Sequence, residues 1–288
     1  MKTVLVTGAG GSLGRLVVEQ LRGRFRVRAL MHRSAVAGDE VAHGDLATGA
    51  GVEAAVEGVD VVVHLAAVTH ARRASRYDLV NDIGTRLLVE AAARARVERF
   101  VQVSTRAIDV RGGAYSRSKA RAEAHVRRAP FDWVVVRVAE VYGIDSHEGV
   151  DALVAAARAG RPLLLVGRGG HEVCPVHGLD AAASVVAAVD SAEAVGRVYT
   201  VGGECMTVAE FADQCRAAFG SRSRVVQIPE PVVAVLSRLA SVAPLPLVPD
   251  QLARLRAPKE RPSSDVSREL GVHPRSVTEG LRTAATGQ

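Results

Sequence analysis

Residues 3–21 read TVLVTGAGGSLGRLVVEQL: a β-branched apolar run, a glycine cluster, then Leu13, Leu16, Val17 and Leu21 at helical spacing. The order is strand, tight turn, helix. Gly8, Gly11 and Gly14 stand at GxxGxxG spacing between strand and helix. The missing Cβ atoms let backbone N–H groups and a helix N-terminus come close to a phosphate. At the start of a strand–helix alternation, such a turn implies a dinucleotide pyrophosphate; three glycines by themselves also suit a plain structural turn.

The alternation continues outward from this unit. RVRALMH (26–32), VDVVVHLAA (59–67), RFVQVS (99–104) and DWVVVRV (132–138) read as further strands, with helical patterns such as TRLLVEAAARAR (85–96) between them. Right-handed crossovers then give an α/β fold, a doubly wound parallel Rossmann sheet. From about residue 140 the rhythm changes, with Pro162, Gly167, Gly169, Gly170 and Pro175 and one returning strand at RVYTV (197–201). The pattern predicts a dinucleotide-binding domain over 1–138, rejoined by that strand, and a smaller interleaved C-terminal substrate domain over 139–288.

Bulk composition narrows the function classes. A chain of 288 residues that is 48% hydrophobic can bury a large core, and with 3% aromatics that core must be Val, Leu and Ala. The net charge of +6 invites an anionic partner, yet arginine is dispersed, with no basic run, interleaved aromatics or zinc spacing. Nucleic acid is therefore not an expected partner. Cys174, Cys205 and Cys215 are odd in number and form no CxxC or CxxxC unit, so neither a disulfide nor a metal site is expected, and a reducing cytoplasmic location fits. No apolar stretch reaches membrane-spanning length and no charged leader precedes the first strand, so no membrane partner is expected.

The end of the second strand bears on the cofactor. NAD sites place an acid there for the ribose 2′-OH, whereas a basic residue suits a 2′-phosphate. His32 and Arg33 occupy that place and no acid does, which points to NADP with NAD also admitted. If Arg33 is merely a solvated loop residue, both cofactors are accepted alike.

Taken in order, these segments resemble the extended short-chain dehydrogenase/reductase superfamily, the NAD-dependent epimerase/dehydratase group. TGAGGSLG (7–14) is similar to its TGxxGxxG turn, HGDL (43–46) to the segment beside adenine, and HLAA (64–67) to the end of its fourth strand. NDIGTRLLVEAA from Asn81 resembles its N-x-x-G-T helix, VSTRA (103–107) followed by YSRSK (115–119) its S-T and Y-x-x-x-K pair, and RVAEVYG (137–143) its sixth strand. CPVHGLDAAA (174–183) and LGVHPRSVTEGLR (270–282) are similar to its later signatures, so the likeness runs through nearly the whole chain. It implies cofactor contacts from Gly8, Gly11, Ser12, Leu13 and Gly14, from Asp45 and Leu46, and from Leu65, Ala66 and Ala67, beside His32 and Arg33.

Tyr115 and Lys119, four positions apart, share one helix face, a spacing that also suits wet helix surface. A phenol with a pKa near ~10 exchanges protons poorly at neutral pH unless a neighbouring cation favours the phenolate. The resemblance implies that Tyr115 is the acid/base, that Lys119 lowers its pKa and holds the nicotinamide ribose, and that Thr105, or in second place Ser104, donates to the substrate oxygen. It also implies that a homodimer can form through helices flanking the Tyr115 helix.

The chain departs from the family pattern in two places. Only ten positions separate Thr105 from Tyr115, which removes a substrate-contacting loop, and Val173 stands where nucleotide-sugar enzymes carry a diphosphate-gripping arginine. The basic loop with Arg72, Arg73 and Arg76 offers either an anion site or a solvated surface, and His64 and His177 read as packed residues. The combined expectation is an NAD(P)-dependent oxidoreductase that transfers a hydride to or from a carbonyl or alcohol of a small metabolite. The alternatives are a nucleotide-sugar epimerase or dehydratase, and a non-catalytic NADP-binding redox sensor.

Overall fold

The computed structural model describes residues 1–33, 35–146, 148–239 and 250–286. Strands β1 (Thr3–Thr7), β2 (Arg26–Met31), β3 (Glu40–His43), β4 (Val61–His64), β5 (Arg99–Thr105) and β6 (Asp132–Val138) join the returning strand Arg197–Val201 in one sheet. The spatial order is returning strand, β6, β5, β4, β1, β2, β3, and every pairing is parallel. This is the doubly wound Rossmann sheet that the strand–helix alternation predicts. Chain order reverses between β1 and β4, whose ends align in register at Thr7 and His64. Ligands bind in the crevice outside such a switch point.

The strands are apolar on both faces because helices cover both. Val4 and Val6 point into one buried cluster with Val17, Val18, Val27 and Val63, while Leu5 points into the other with Leu30, Val62, Leu88 and Phe100. Each such side chain contributes roughly 1.5–3 kcal/mol by leaving water. β3 escapes a reading by apolar runs because it lies at the sheet edge and alternates half-buried with exposed residues. β4 is shorter than VDVVVHLAA suggests: the backbone leaves the strand after His64, so Leu65, Ala66 and Ala67 lie at the crevice.

A third apolar cluster, with Tyr142, Leu153, Leu163, Val173, Phe211 and Leu281, is built from later segments. The helix Val208–Ala218 enters it behind a capping box, in which Thr207 and Glu210 satisfy each other's backbone N–H groups. Met206–Thr207 pairs antiparallel with Glu172–Val173. That small ladder sets Cys174 and Cys205 face to face, and they form a disulfide across 31 residues. This corrects the expectation of no disulfide, and the inference of a reducing compartment loses its basis. Glu172 lies beside the two sulfurs, but sulfurs bonded to each other offer a metal no thiolate. Cys215 is free and buried. No helix among the described residues is long and apolar enough to cross a membrane.

Candidate active site

The glycine turn is shaped by contacts that no side chain tolerates. Gly8 has φ +73°, and a Cβ there would lie 2.7 Å from the Ala66 nitrogen; one on Gly14 would lie 2.0 Å from the Gly8 oxygen. Gly11 N donates to Gly8 O at 3.0 Å, which closes the turn. The helix Ser12–Leu21 then begins without a side-chain cap, so its first N–H groups stay open to an anion.

A buried hydrogen-bond chain supports this floor. Ala66 N donates to Thr7 Oγ1 at 3.2 Å, Thr7 Oγ1 lies 2.6 Å from His64 Nδ1, and His64 Nε2 lies 2.9 Å from Thr85 Oγ1. Because Thr85 Oγ1 donates to Asn81 O at 2.6 Å, it accepts from His64 Nε2–H, and the network assigns Nδ1 as the acceptor for Thr7. Burial, aided by the Lys119 charge, holds the His64 pKa down at about 3, so the imidazole is neutral. Asn81 Oδ1 accepts from Val68 N at 2.7 Å, and Asn81 Nδ2 donates to Val68 O at 3.0 Å and to Ser118 Oγ at 3.1 Å. The loop after β4 is thereby tied to the helix Gly113–Arg127, which carries Tyr115 and Lys119.

At the end of β5, Ser104 and Thr105 face that helix. Ser104 Oγ is buried with no hydrogen-bond partner among the described residues, while Thr105 Oγ1 accepts from Ala107 N at 3.2 Å. Burial pushes the Tyr115 phenol above its ordinary pKa, opposed first by the Arg254 charge and then by a hydrogen bond with Thr105. Lys119 stands one turn further along the same helix. Its Nζ donates to Val103 O at 2.8 Å, and the Arg254 guanidinium stands over the Tyr115 ring, 4.8 Å from the centroid.

Burial also lowers Lys119 to about 8, partly offset by Glu123. The folded state therefore binds fewer protons here than the unfolded chain between about pH 8 and the ordinary lysine value near ~10.4, so stability rises with pH through that window. Lys119→Met is expected to raise the melting temperature at pH 7, with the gain shrinking toward pH 10. A gain that stays constant with pH would show that Lys119 carries no such penalty.

These groups meet in one cavity of about 550 Å³. Of the residues expected at the cofactor, Gly8, Gly11, Ser12, Leu13, Gly14, Leu65 and Ala67 line it. Ser104, Thr105, Tyr115 and Lys119 line it as well. His32, Arg33, Asp45, Leu46 and Ala66 do not. His32 and Arg33 are exposed just past β2, with His32 Nε2 3.5 Å from Asp45 Oδ2, and Leu46 is packed in the core. Ala66 lies behind Gly8 and contributes its backbone. Arg72, Arg73 and Arg76 are exposed and outside the cavity; His70, from the same loop, lines it and lies 3.1 Å from Glu148 across the rim. Val173 is buried in the third cluster and brings no charge. His177, as expected of a packed residue, caps its helix by accepting from Leu179 N at 3.3 Å.

Four lining or supporting charges make contacts that motif reading does not report. Arg106, 1% exposed, grips Glu140 with two bonds of 3.0 and 3.1 Å, and Lys259 lies 3.5 Å from the same carboxylate. Arg254 comes from the C-terminal segment, where no local pattern marks it. For all four, the pairing is fixed by tertiary path alone.

Comparisons with known proteins identify the family. The NAD(P)H-binding family model matches residues 8–155, and that of the RmlD substrate-binding domain matches residues 112–245. The ceramide reductase of Caulobacter vibrioides is 32% identical over 238 residues, 79% of this chain and 74% of its own. The 2-alkyl-3-oxoalkanoate reductase of Stenotrophomonas maltophilia is 30% identical over 251 residues, 76% of either chain. The UDP-glucose 4-epimerase of Thermotoga maritima, solved with UDP-glucose, shares the fold with a TM-score of 0.80 at 19% identity, over 99% of this chain and 97% of its own. The chain belongs to the extended short-chain dehydrogenase/reductase superfamily, whose reductases and epimerase/dehydratases use NAD(P). Its residues fit the dinucleotide: a turn that excludes Cβ atoms and an uncapped helix N-terminus.

Proposed function

We propose that this protein is an NADP-preferring reductase of a carbonyl on a small molecule with an apolar arm, running also in the alcohol-oxidising direction. The supporting observation is that Tyr115, Thr105 and the unpartnered Ser104 hydroxyl face the same cavity as the glycine turn. When bound, the nicotinamide cofactor would supply hydride for the carbonyl carbon. Tyr115 passes its proton to the carbonyl oxygen, and Thr105 and Ser104 donate hydrogen bonds to that oxygen as charge gathers on it. Lys119, fixed by Val103 O, holds the ribose.

Apolar walls from Leu65, Val138, Ile144 and Leu255 exclude water and suit a hydrocarbon arm. Two relatives that match over about three quarters of their own length are named as reductases of a ceramide and of a 2-alkyl-3-oxoalkanoate. A nucleotide-sugar substrate is disfavoured because Val173 lies in an apolar core. The test is a screen of NADPH oxidation with medium-chain oxo compounds, short polar ketones and UDP-glucose. Turnover is expected with the first group, and turnover confined to UDP-glucose would overturn the reading.

Arg33 carries the cofactor preference. Arg33→Ala is expected to weaken NADPH while leaving NADH nearly unchanged, since only a contact to the 2′-phosphate is lost. Titration of both cofactors against both proteins checks this. Equal affinities in the parent protein would remove the NADP preference and leave the dinucleotide site standing.

A further inference from the structure

We propose that Arg254, latched through Asp250 onto the start of the Tyr115 helix, is a further cation, beside Lys119, that stabilises the ionised phenol of Tyr115. The inference rests on the reading of Tyr115 as the proton-transfer group. When hydride reaches the carbonyl carbon, the Tyr115 O–H bond breaks, the substrate O–H bond forms, and a phenolate is left to regain its proton from solvent. A positive charge beside the ring favours that phenolate.

Arg254 is held for this task from several sides. It sits on the helix Gln251–Arg256, its Nη1 donates to Thr69 O at 3.0 Å, and its Nη2 lies 3.5 Å from Asp250 Oδ1. These anchors set the guanidinium over the phenol ring, in a site where its side chain is only 17% exposed. Asp250 in turn accepts from Tyr115 N at 3.1 Å and from the Tyr77 hydroxyl at 3.3 Å, and the Tyr77 ring meets the Tyr115 ring edge-on.

Gly113 provides independent support for the latch. Its φ is +86°, and a Cβ there would lie 2.7 Å from the Asp250 Cβ, so a side chain would displace the carboxylate from the helix start. The glycine leaves room for a residue 137 positions away in the chain.

The remaining groups around Tyr115 act on it from other sides. Thr105 on β5 favours the phenolate through a hydrogen bond, whereas Asp250 and Glu148 oppose it. Tyr77 is neutral in this range, His70 lies against Glu148 at the rim, and Lys119, one turn along the same helix, donates its proton to Val103 O. Arg254 offsets part of what burial and the two carboxylates set against ionisation.

The test is NMR titration of protein carrying carbon-13 at the tyrosine ring Cζ, with the Tyr115 line assigned by its loss in Tyr115→Phe. Arg254→Gln is expected to move that titration to higher pH, and Arg254→Lys to return it part of the way. Gly113→Ala should move it in the same direction as Arg254→Gln. With a substrate in hand, the rising limb of alcohol oxidation should shift upward in Arg254→Gln, with turnover at neutral pH falling by roughly tenfold or more. Arg254→Met serves if the Gln variant does not fold. An unmoved Tyr115 line in a variant that melts and binds NADPH like the parent overturns the proposal, as does a Lys variant that titrates like the Gln variant. The titration needs no substrate, so a failed carbonyl screen would count against the reductase reading and not against the tuning of Tyr115.

Discussion

Tyr115→Phe is expected to stay folded and to bind NADPH as the parent does, while turnover falls by about a hundredfold or more. The substitution keeps the ring, its edge contact with Tyr77 and the Arg254 guanidinium above it, and deletes only the hydroxyl that moves the proton. Asp250 still accepts from the backbone N–H of residue 115, so the latch survives. The effect should fall on kcat, because the hydroxyl gains most of its interaction in the transition state. Thermal melting and cofactor titration of the same preparation separate lost chemistry from lost structure. A variant that turned substrate over at the parental rate would make Tyr115 a wall residue and return the proton transfer to another group.

Gly14→Ala is expected to abolish detectable NADPH binding and to cost about 1–3 kcal/mol in stability, the usual range for overpacking. The added methyl would stand 2.0 Å from the Gly8 carbonyl oxygen, so either the turn opens or the helix behind it moves. Both movements pull the uncapped N–H groups of the helix Ser12–Leu21 away from the pyrophosphate position. Gly23→Ala is the matched control. Gly23 has φ +83° and open space around its Cβ position, so the change costs backbone strain of about 1–2 kcal/mol without touching the turn. Calorimetric titration of the two variants with NADPH distinguishes them, and comparable binding in both would refute the role given to the turn.

The fold was legible where local chemistry and tertiary structure agree. Runs such as VVVH and WVVVRV are buried on both faces by covering helices, and a period-independent apolar run is what such strands require. The glycine turn was legible because its steric need is local. Tyr115 and Lys119 were legible as a pair on one helix face, but helix spacing says nothing about which cation meets the phenol. The Arg254 guanidinium over that ring and the Asp250 carboxylate at the helix start come from more than 130 positions later, across a contact that Gly113 leaves open.

Other features were hidden for related reasons. The Cys174–Cys205 bond depends on a two-residue ladder between distant segments, and no spacing rule reports such a ladder. Leu46 belongs to a family-like segment, yet its side chain packs in the core against the close approach of Gly84. Motif reading places the segment and leaves the direction of each side chain to packing.

The cavity has a floor and a roof of different origin. The floor is the switch-point crevice, fastened from Ala66 through Thr7, His64, Thr85 and Asn81 to the Tyr115 helix, so that a change in any one member disturbs several others. The roof is a short stretch of tail, with Gln251, Arg254, Leu255 and Lys259 facing inward. Drift in that stretch can remodel the substrate's surroundings while the floor keeps its wiring, so substrate scope and hydride chemistry can diverge at separate rates within one chain. One link between the two is Asp250, which accepts from the Tyr115 backbone N–H on one side and lies 3.5 Å from the Arg254 guanidinium on the other.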